Sequence, residues 1–427
     1  MIEMNFAESV EYLYSLGNEV ESMKLGLENI RTLLTALGDP QNNYLKVQVA
    51  GTNGKGSVCA FLNSICLEAG VKTGLYTSPH LISITERIKI NGNDISEDDF
   101  ARLATHVRET AEKLLAKDEL EYRPTYFEQV TAMALIAFAE AKVELAILET
   151  GLGGRLDATT AAHAEIAAIT RIDYDHQEYL GETIQDIAGE KAAIIHEGSK
   201  VVIGEQTNEA LEIILDRCST VGALPMLASQ VRTTYGSGWL NFTTEKSEYN
   251  AGKLGLFGHH QIENAKVALL VAESLQDRFP ISAGNISEGL QIARHPGRLE
   301  YQENFLFDGA HNLGGANALA EYISEFETRP ITLVFGAMRG KNVSGILEVL
   351  APLAERIIIT EPSNSRSFSY EELLERWPAE ISKERAFATD NVISAMDIAN
   401  KVTANDGLIL VTGSLYLVGE AKKILNN

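Results

Sequence analysis

The sequence predicts an α/β fold with two domains, each built on a sheet of mainly parallel strands. Short apolar runs rich in Val, Ile and Leu alternate with amphipathic helical stretches, a pattern typical of parallel sheets covered by helices. The alternation restarts at Phe305 after an interruption. The chain has 427 residues, more than one hydrophobic core usually organises, so a second domain is expected.

In the first part of the chain, five apolar runs are predicted as strands and two longer stretches as helices. The predicted strands are 45–50, 72–76, 145–149, 166–170 and 200–203. The predicted helices are 57–69 and 126–142. Ligands of open α/β sheets collect at the carboxyl ends of the strands, so the residues that follow these runs are the first candidates for a functional site.

In the second part, a smaller, doubly wound, Rossmann-like domain is predicted from four apolar runs, at 305–307, 331–335, 356–360 and 408–412. The boundary is expected within 293–298, where Pro296 and Gly297 interrupt helical continuation. We therefore expect domains at 1–295 and 296–427, with the chemistry in a cleft between them.

The composition excludes several classes of protein. Hydrophobic residues make up 45% of the chain and charged residues 22%, which fits neither disorder nor a fibrous repeat. A net charge of -23 repels phosphate backbones and anionic lipid, so no nucleic-acid or membrane partner is expected. The cysteines form no metal-binding or redox doublet, and the first residues lack the blocks of a signal peptide. We expect a cytoplasmic protein.

The strand predicted at 45–50 leads directly into a glycine-rich segment, and a helical stretch follows at once. The segment consists of Gly51, Thr52, Asn53, Gly54, Lys55, Gly56 and Ser57. A strand, such a turn and a helix N-terminus together present backbone N–H groups to phosphate oxygens. The usual phosphate-loop pattern differs at Val49 and Gly56, and a tight turn without ligand is the alternative. Lys55 between two glycines favours nucleotide binding, so the first domain is predicted to be a P-loop ATPase domain.

Four further side chains lie after predicted strands or near them and could hold a divalent ion beside the phosphates. They are Ser78, Glu149, His176 and Lys191. Oxygen donors such as Ser78 and Glu149 are the ligands that Mg²⁺ prefers. Each residue also has a plain structural alternative. Ser78 could be a turn residue and Glu149 a surface carboxylate. His176 could be a helix-start partner for Asp173 or Asp175, and Lys191 a salt-bridging lysine. Their shared setting at strand ends favours the metal interpretation.

Together these motifs resemble the Mur ligase superfamily and, within it, the folylpolyglutamate synthase family, including the bacterial form that is also dihydrofolate synthase. The resemblance covers nearly the whole chain. Its motifs lie at 51–57, 77–81, 124–129, 149–159, 175–176, 189–192, 258–261, 264, 296–298, 308–312 and 412–415. Their order and spacing are more specific than any one of them.

The resemblance implies an ATP-dependent amide ligase. ATP would phosphorylate a folate-type carboxylate, and the amine of L-glutamate would attack the acyl phosphate. Lys55, His176 and Lys191 would be catalytic; Ser78, Glu149, His176 and a carbamate formed from Lys191 and CO₂ would hold Mg²⁺, with a monovalent cation as a further candidate. The resemblance also implies small-molecule partners alone and a monomer.

The resemblance also assigns binding residues by position. Asn264 would contact adenine, Arg298 the phosphates and Asp308 the ribose, so residues 296–427 would form a glutamate-ligase domain acting with an ATP-binding domain at 1–295. His311 and Ser414 would face the incoming glutamate. The pterin-bearing substrate would contact Thr125, Phe127, Asp157 and Ala158. The plain structural alternatives are that Thr125 is a helix cap, Phe127 a core aromatic, Asp157 a solvated carboxylate and Ala158 a packing residue.

Some positions depart from the family pattern. Thr160 stands where Asn usually follows Asp-Ala-Thr, and His295 stands where an aromatic residue often precedes Pro-Gly-Arg. The segment 338–342 lacks an acidic residue often found there. The Thr160 departure bears on the pterin contacts rather than on the ligase chemistry.

Other functions fit parts of the pattern. A Mur ligase with another acceptor is disfavoured because about fifty residues precede the phosphate loop, too few for a separate sugar-nucleotide domain of ordinary size. A nucleotide-gated binding protein would not need Glu149, His176 and Lys191. A simple P-loop kinase would not need a second domain that offers Asp308, His311 and Ser414.

Overall fold

The computed structural model describes residues 3–17, 26–236 and 238–426. They form two compact α/β units, the first comprising 1–255 and 263–294 and the second 256–262 and 295–427. The predicted fold class is confirmed in both units. Among the described residues, no helix combines the length and apolar character that crossing a membrane requires.

The first unit contains one large sheet and one small antiparallel sheet. The large sheet consists of β1 Leu45–Ala50, β2 Thr73–Tyr76, β3 Ile88–Ile90, β4 Asn93–Asp94, β5 Leu145–Glu149, β6 Ile166–Ile169, β7 Lys200–Ile203 and β8 Pro225–Leu227. Its order is β4-β3-β2-β5-β1-β6-β7-β8, and β3 and β4 pair antiparallel at one edge. The small sheet consists of β9 Arg232–Gly236, β10 Trp239–Thr243 and β11 Glu248–Asn250.

The helices of the first unit cover the sheet and supply its core. They are α1 Phe6–Ser15, α2 Glu28–Ala36, α3 Lys55–Glu68, α4 Glu97–Leu115, α5 Tyr126–Ala141, α6 Gln177–Leu180, α7 Ile184–Ala192, α8 Asn208–Thr220, α9 His260–Leu275 and α10 Ala283–Ile292. Every residue of β5 is buried, which explains why the sequence shows it as a continuous apolar run. Helices α10 and α3 pack closely at Gly289, where any other residue would bring a Cβ into the backbone of Ile65.

The second unit contains a smaller, mostly parallel sheet. Its strands are β12 Glu300–Gln302, β13 Phe305–Phe307, β14 Ile331–Phe335, β15 Arg356–Thr360, β16 Ala386–Thr389 and β17 Leu408–Thr412, in the order β12-β13-β17-β14-β15-β16. Its helices are α11 Leu313–Phe326, α12 Val343–Leu350, α13 Tyr370–Glu375, α14 Val392–Val402 and α15 Leu415–Leu425. The four strands predicted from the sequence match β13, β14, β15 and β17 in both bounds.

The segment 256–262 lies inside the first 295 residues but packs with the second unit. The ring of Phe257 stacks on Tyr322 of α11 at a centroid distance of 6.5 Å. Nε2 of His259 lies 2.6 Å from Oε2 of Glu325, and its ring lies 6.0 Å from that of Phe326. One face of α11 therefore holds this segment.

Strand order decides which loops become neighbours. In the first sheet, β2, β5, β1 and β6 are adjacent and parallel, so the segments that follow them lie side by side. In the second sheet, β13 and β17 are adjacent and parallel. The candidate residues of each unit follow these strands.

Candidate active site

The phosphate loop connects β1 to α3, as the sequence predicts. Gly51 and Gly54 adopt backbone φ values of 151° and 92°, which residues with a side chain rarely adopt. A Cβ on Gly51 would overlap Oγ1 of Thr170, and one on Gly54 would overlap the side-chain amide of Asn264. Both positions therefore require glycine, and Asn264, in α9, lies against the loop.

The loop is tied to the segment that follows β6. The N–H groups of Thr52 and Asn53 donate to the carbonyl of Arg171, at 2.8 and 3.1 Å. Oγ1 of Thr52 donates to the carbonyl of Asp173 at 3.0 Å, and Nδ2 of Asn53 donates to the Asp173 carboxylate at 2.9 Å. These contacts fix the loop before any ligand contributes.

Two lysines converge on one carbonyl oxygen of the loop. Nζ of Lys55 lies 3.1 Å from the oxygen of Gly51 and 3.2 Å from that of Thr52. Nζ of Lys191, which is buried at the end of α7, donates to the oxygen of Gly51 at 2.9 Å. Burial, and then the positive charge of Lys55, lower the pKa of Lys191 to about 7. A substantial fraction of this amine is therefore neutral at neutral pH.

Ser78 and Glu149 meet where β2 and β5 end. The N–H of Ser78 donates to Oε2 of Glu149 at 3.2 Å, and Glu149 is buried. Its charge contributes to the raised pKa of Cys59, although burial of that thiol is the larger cause. The contact is made by the backbone of Ser78, and it brings a residue with a hydroxyl next to a carboxylate. Both groups are oxygen donors of the kind that Mg²⁺ prefers, so the two residues are compatible with the predicted site.

His176 precedes α6 in a left-handed conformation, with φ of 51°. Its N–H donates to Oδ1 of Asp175 at 2.9 Å, and its Nε2 lies 3.9 Å from the same oxygen. His176 therefore contacts Asp175 at the start of a helix, which is the structural alternative given for this histidine in the sequence analysis. In residues 3–17, 26–236 and 238–426, no three His, Cys, Asp or Glu side chains are grouped to hold a metal. A metal here would depend on other donors besides Glu149 and His176.

The residues predicted to hold the pterin-bearing substrate lie around the start of α5 and the loop after β5. Thr125 caps α5, accepting from the N–H of Glu128 at 3.3 Å. Phe127 lies against Gly151, where a Cβ would be 2.5 Å from its ring. Its ring centroid is 5.9 Å from that of Tyr76. The ring of Phe127 therefore requires glycine at position 151.

Asp157 is buried, so the alternative of a solvated carboxylate is wrong. Its Oδ2 accepts from the N–H of Leu152 at 2.9 Å, and its Oδ1 accepts from the N–H of Thr159 at 3.0 Å. Burial raises the pKa of Asp157 despite these hydrogen bonds. The carboxylate shapes its own loop, and Ala158 behind it packs in the core with α5.

Gln48 gives no functional signal in the sequence, yet it reaches this loop. Its Nε2 donates to the hydroxyls of Thr159 and Thr160, both at 2.8 Å. Thr160, the departure from the family pattern, in turn donates to the carbonyl of Gly154 at 2.7 Å. The buried strand β1 carries two polar side chains, Lys46 and Gln48, and nothing in the sequence distinguishes the second from the first.

In the second unit, Asp308 and Arg298 are close. The buried carboxylate of Asp308 accepts from the N–H groups of Leu299 and Ala310, each at 2.9 Å. Burial raises the pKa of Asp308, while the charge of Arg298 opposes that rise. Nη1 of Arg298 would lie 3.0 Å from a Cβ on Gly309, so the guanidinium passes directly over this glycine.

His311 and Ser414 follow the adjacent strands β13 and β17. Nδ1 of His311 lies 2.8 Å from the carbonyl oxygen of Gly309. The buried Ser414 caps α15 by accepting from the N–H of Tyr416 at 3.1 Å. The N–H of Gly413 donates to the carbonyl of Ala310 at 3.0 Å and joins the two segments. The structure thus brings Arg298, Asp308, His311 and Ser414 to one end of this sheet.

Two family models match the chain. The Mur ligase middle domain matches residues 49–272, and the C-terminal domain of dihydrofolate synthetase matches residues 294–424. The fold and the glycine-rich loop thus define a ligase of the Mur type, a class that couples ATP to the joining of an acid and an amine.

Curated relatives narrow the class. The dihydrofolate synthase/folylpolyglutamate synthase of Bacillus subtilis is 36% identical over 94% of this chain and 95% of its own length. A probable bifunctional folylpolyglutamate synthase/dihydropteroate synthase of Halobacterium salinarum is 35% identical over 98% of this chain, but the chain spans only 51% of that protein. The chain belongs to the folylpolyglutamate synthase/dihydrofolate synthase family.

Solved structures agree with this assignment. Mycobacterium tuberculosis folylpolyglutamate synthase complexed with ADP and AMPPCP superimposes with a TM-score of 0.91 at 31% identity, covering 99% of each chain. A bifunctional folylpolyglutamate synthase/dihydrofolate synthase with Mn, AMPPNP and L-glutamate bound has a TM-score of 0.86 at 27% identity, covering 99% of this chain and 98% of the other.

Proposed function

We propose that this chain joins L-glutamate to the carboxylate of a folate-type substrate and converts ATP to ADP and phosphate. The observation that carries the proposal is the phosphate loop on which Lys55 and Lys191 converge. The names of the relatives, and the ADP, AMPPNP, Mn and L-glutamate bound in related structures, support the same reaction.

The reaction needs two steps. A carboxylate oxygen of the acceptor attacks the γ-phosphorus of ATP, and ADP leaves. The amine of glutamate then attacks the carbonyl carbon of the acyl phosphate, loses a proton, and displaces phosphate. Both steps bring anions together, so cations and N–H dipoles must lie where negative charge develops.

Residues 51–57 and Lys55 would bind the phosphates. Lys55 can exchange its loop carbonyls for phosphate oxygens, because both sets are acceptors for its ammonium group. Asn264 would contact adenine, Arg298 the phosphates and Asp308 the ribose. The proposed domains are 1–295 for ATP binding and 296–427 for glutamate ligation.

Ser78, Glu149, His176 and carboxylated Lys191 would hold divalent metal. Such an ion supplies charge neutralisation at the transferring phosphoryl group. The adjacency of Ser78 and Glu149 supports their part in this set. A monovalent cation is a further candidate ligand of the site.

Carboxylation of Lys191 is supported by its chemistry. Only a neutral amine attacks CO₂, and the lowered pKa of Lys191 makes the neutral form available. The neutral amine attacks CO₂ and releases one proton as the carbamate anion forms, and a second proton is released where the lysine starts as the ammonium. The Nζ–H that remains can still donate to the carbonyl of Gly51.

The acceptor would bind against Thr125, Phe127, Asp157 and Ala158, and glutamate against His311 and Ser414. The first four residues surround the start of α5 and the loop after β5, next to Ser78 and Glu149 in strand order. We further propose that the protein works as a monomer in the cytoplasm with small-molecule substrates as its partners.

A test of the reaction is ADP release with dihydropteroate or tetrahydrofolate as acceptor. Release should require ATP, Mg²⁺, acceptor and glutamate together, and mass spectrometry should find one glutamate added per ADP. Release that needs neither acceptor nor glutamate would contradict the proposal and favour a nucleotide-gated binding protein. The two acceptors, run in parallel, distinguish dihydrofolate synthesis from polyglutamylation.

Glu149→Gln tests the metal role with a matched control. We expect at least a 100-fold loss of kcat, as removal of charge at a phosphoryl-transfer centre costs several kcal/mol. Glu144→Gln changes the residue just before the opposite end of the same strand, where the side chain is exposed, and should leave kcat unchanged. Equal activity in the two variants would exclude the assigned role.

Carboxylation of Lys191 can be tested by mass spectrometry under native conditions. Protein held in bicarbonate should carry one additional CO₂, and Lys191→Ala should not. Short-chain carboxylates should partly restore activity to Lys191→Ala. If the mass does not change with bicarbonate and carboxylates restore nothing, Lys191 acts as a plain amine.

A further inference from the structure

Gln48 lies on β1, three residues before the phosphate loop, and its side chain is completely buried. Its Nε2 lies within hydrogen-bonding distance of the hydroxyls of Thr159 and Thr160, at 2.8 Å each, and of Thr150, at 3.2 Å. An amide nitrogen has two hydrogens, and the two short contacts use both. One side chain therefore connects the phosphate-loop strand to two consecutive residues of the loop after β5.

The direction of these hydrogen bonds is fixed. The hydroxyl of Thr159 donates to Oδ1 of Asp157 at 2.5 Å, and that of Thr160 donates to the carbonyl of Gly154 at 2.7 Å. Each hydroxyl has one proton, already given to these acceptors, so its oxygen can only accept from Gln48. A side chain without an N–H donor would break both chains of hydrogen bonds.

One chain ends at Asp157, a residue of the proposed site, and the other ends at Gly154 of the same loop. Through Thr159, Gln48 supports Asp157, whose other oxygen accepts from the N–H of Leu152 at 2.9 Å. Through Thr160, it supports Gly154, where a Cβ would lie 2.6 Å from the carbonyl of Glu190 and 3.0 Å from that of Lys191. The acceptor loop is thereby held against the end of α7 that carries Lys191.

The amide oxygen of Gln48 gives a second reason to assign a role beyond packing. Oε1 is buried and accepts no hydrogen bond from the residues that the structure describes. A buried acceptor without a partner destabilises the fold, whereas an apolar side chain of similar shape would not carry this cost. A glutamine at this position is therefore explained by what its N–H groups hold in place.

We propose that Gln48 is a positioning residue for the acceptor substrate, because it holds the 151–160 loop in register with the phosphate loop and with Lys191. This inference rests on the proposed function, since it concerns the acceptor of that reaction. Gln48 touches neither the phosphates nor the acceptor. It acts through Asp157 and Gly154.

Gln48→Met tests the inference, because methionine has a similar length and no donor. We expect the KM for the pteroate-type acceptor to rise about tenfold, as two hydrogen bonds of modest net strength are lost. The KM for ATP should change less than twofold, and the melting temperature should not fall, because the unpartnered Oε1 is removed as well. A fall in kcat with equal changes in both KM values and a lower melting temperature would overturn the inference.

Gln41→Met is the matched control. Gln41 is also buried, and its Oε1 also has no partner, but its Nε2 contacts Asp39 at 3.2 Å, before the start of β1. The same substitution there should leave the KM for the acceptor unchanged. An equal rise in KM in both variants would show that any buried polar change in this region has the same effect.

Thr160→Val alone gives an independent readout that does not require Gln48→Met to fold, and the two substitutions together form a double-mutant cycle. Thr160→Val alone should raise the KM for the acceptor. In the double variant with Gln48→Met, the fold-increase in that KM should be smaller than the product of the fold-increases of the two single variants. Independent effects would contradict a shared chain of hydrogen bonds. Wild-type protein that shows no acceptor-dependent ADP release would overturn the proposed function and this inference together, whereas normal wild-type activity with an unchanged Thr160→Val overturns the inference alone.

Discussion

The two units both place candidate residues after parallel strands, but they hold these residues by different kinds of contact. In the first unit the phosphate loop makes contacts with distant parts of the chain: Lys191 with Gly51 across 140 positions, and Thr52 with Asp173 across 121. In the second unit most side-chain contacts are local, such as Ser414 with Tyr416 two positions away. The loop at 51–57 is therefore held by tertiary contacts, and the candidate residues of the second unit are held mainly by caps and turns.

This difference predicts how each end responds to change. A local cap can be lost without disturbing the rest of its unit, since it satisfies one or two backbone groups. A long-range contact fixes two loops at once, so its loss displaces both. Substitutions of comparable size should therefore cost more function in the first unit than in the second.

The largest effect is expected from Gly51→Ala. Its Cβ would overlap Oγ1 of Thr170, and φ at this position is 151°, so the loop must shift away from β6. We expect ATP to bind about 100-fold more weakly, measured by calorimetry.

Gly309→Ala is the counterpart in the second unit. Its Cβ would meet the side-chain ends of Leu415 and Arg298, which can move more easily than the residue at the end of a strand. ATP affinity should fall less than in Gly51→Ala. An equal or larger loss would break the comparison between the two units.

A smaller effect is expected from Thr52→Val, which removes the hydroxyl that both donates to and accepts from the backbone of Asp173. We expect the KM for ATP to rise about tenfold with little change in melting temperature, as two hydrogen bonds are lost from an otherwise intact loop. Ser414→Ala should instead lower stability by about 1 kcal/mol through loss of a helix cap and leave the KM for ATP unchanged. If Ser414→Ala raised that KM as much, the caps of the second unit would be as closely linked to nucleotide binding as the long-range contacts.

The smallest effect concerns pH and a pair of histidines in the first unit. The rings of His163 and His196 stack at 4.3 Å, and burial, then His163, Arg217 and Arg31, lower the pKa of His196 to about 4. The pKa of His196 is lower in the folded protein than its unfolded value of 6.5, so the folded state favours the neutral ring. The free energy of unfolding is therefore not reduced by this histidine above pH 6.5, and it decreases as the pH falls toward 4. The melting temperature of wild type should fall over that range more than that of His196→Phe. His106→Phe, on the exposed face of α4, should follow wild type.

Sequence reasoning predicted the parts whose signal is local. The buried strands β1 and β5 are apolar runs, and the glycines at 51 and 54 mark a turn that other residues cannot adopt. The antiparallel strand β9 was missed because it is mostly exposed and polar, with no apolar alternation. Strand β10 was also missed, although its buried residues alternate, because the alternation extends over only five residues. The two-residue strand β4 is exposed and polar and was missed for the same reason, whereas β16 has an apolar sequence and was missed because it is short and little buried.

The site was predicted as a set of residues but not as a network. The sequence indicates that Asp157 and Lys191 follow strands or lie near their ends, yet burial of both depends on packing that no short window contains. Gln48 could not be assigned because its partners lie 111 and 112 positions away. The roles predicted for Asn264 and Ser414 come from the family resemblance alone, since local chemistry indicates only a helix residue and a helix cap.

The segment 256–262 has a practical consequence for dividing this protein. Since the chain passes from one unit to the other and back before residue 295, neither unit is a continuous piece. A truncation that begins at 296 would leave Tyr322 and Phe326 of α11 without Phe257 and His259, and would expose an aromatic surface prone to self-association. Expressing the carboxyl half as a separate protein therefore calls for grafting those seven residues back through a linker.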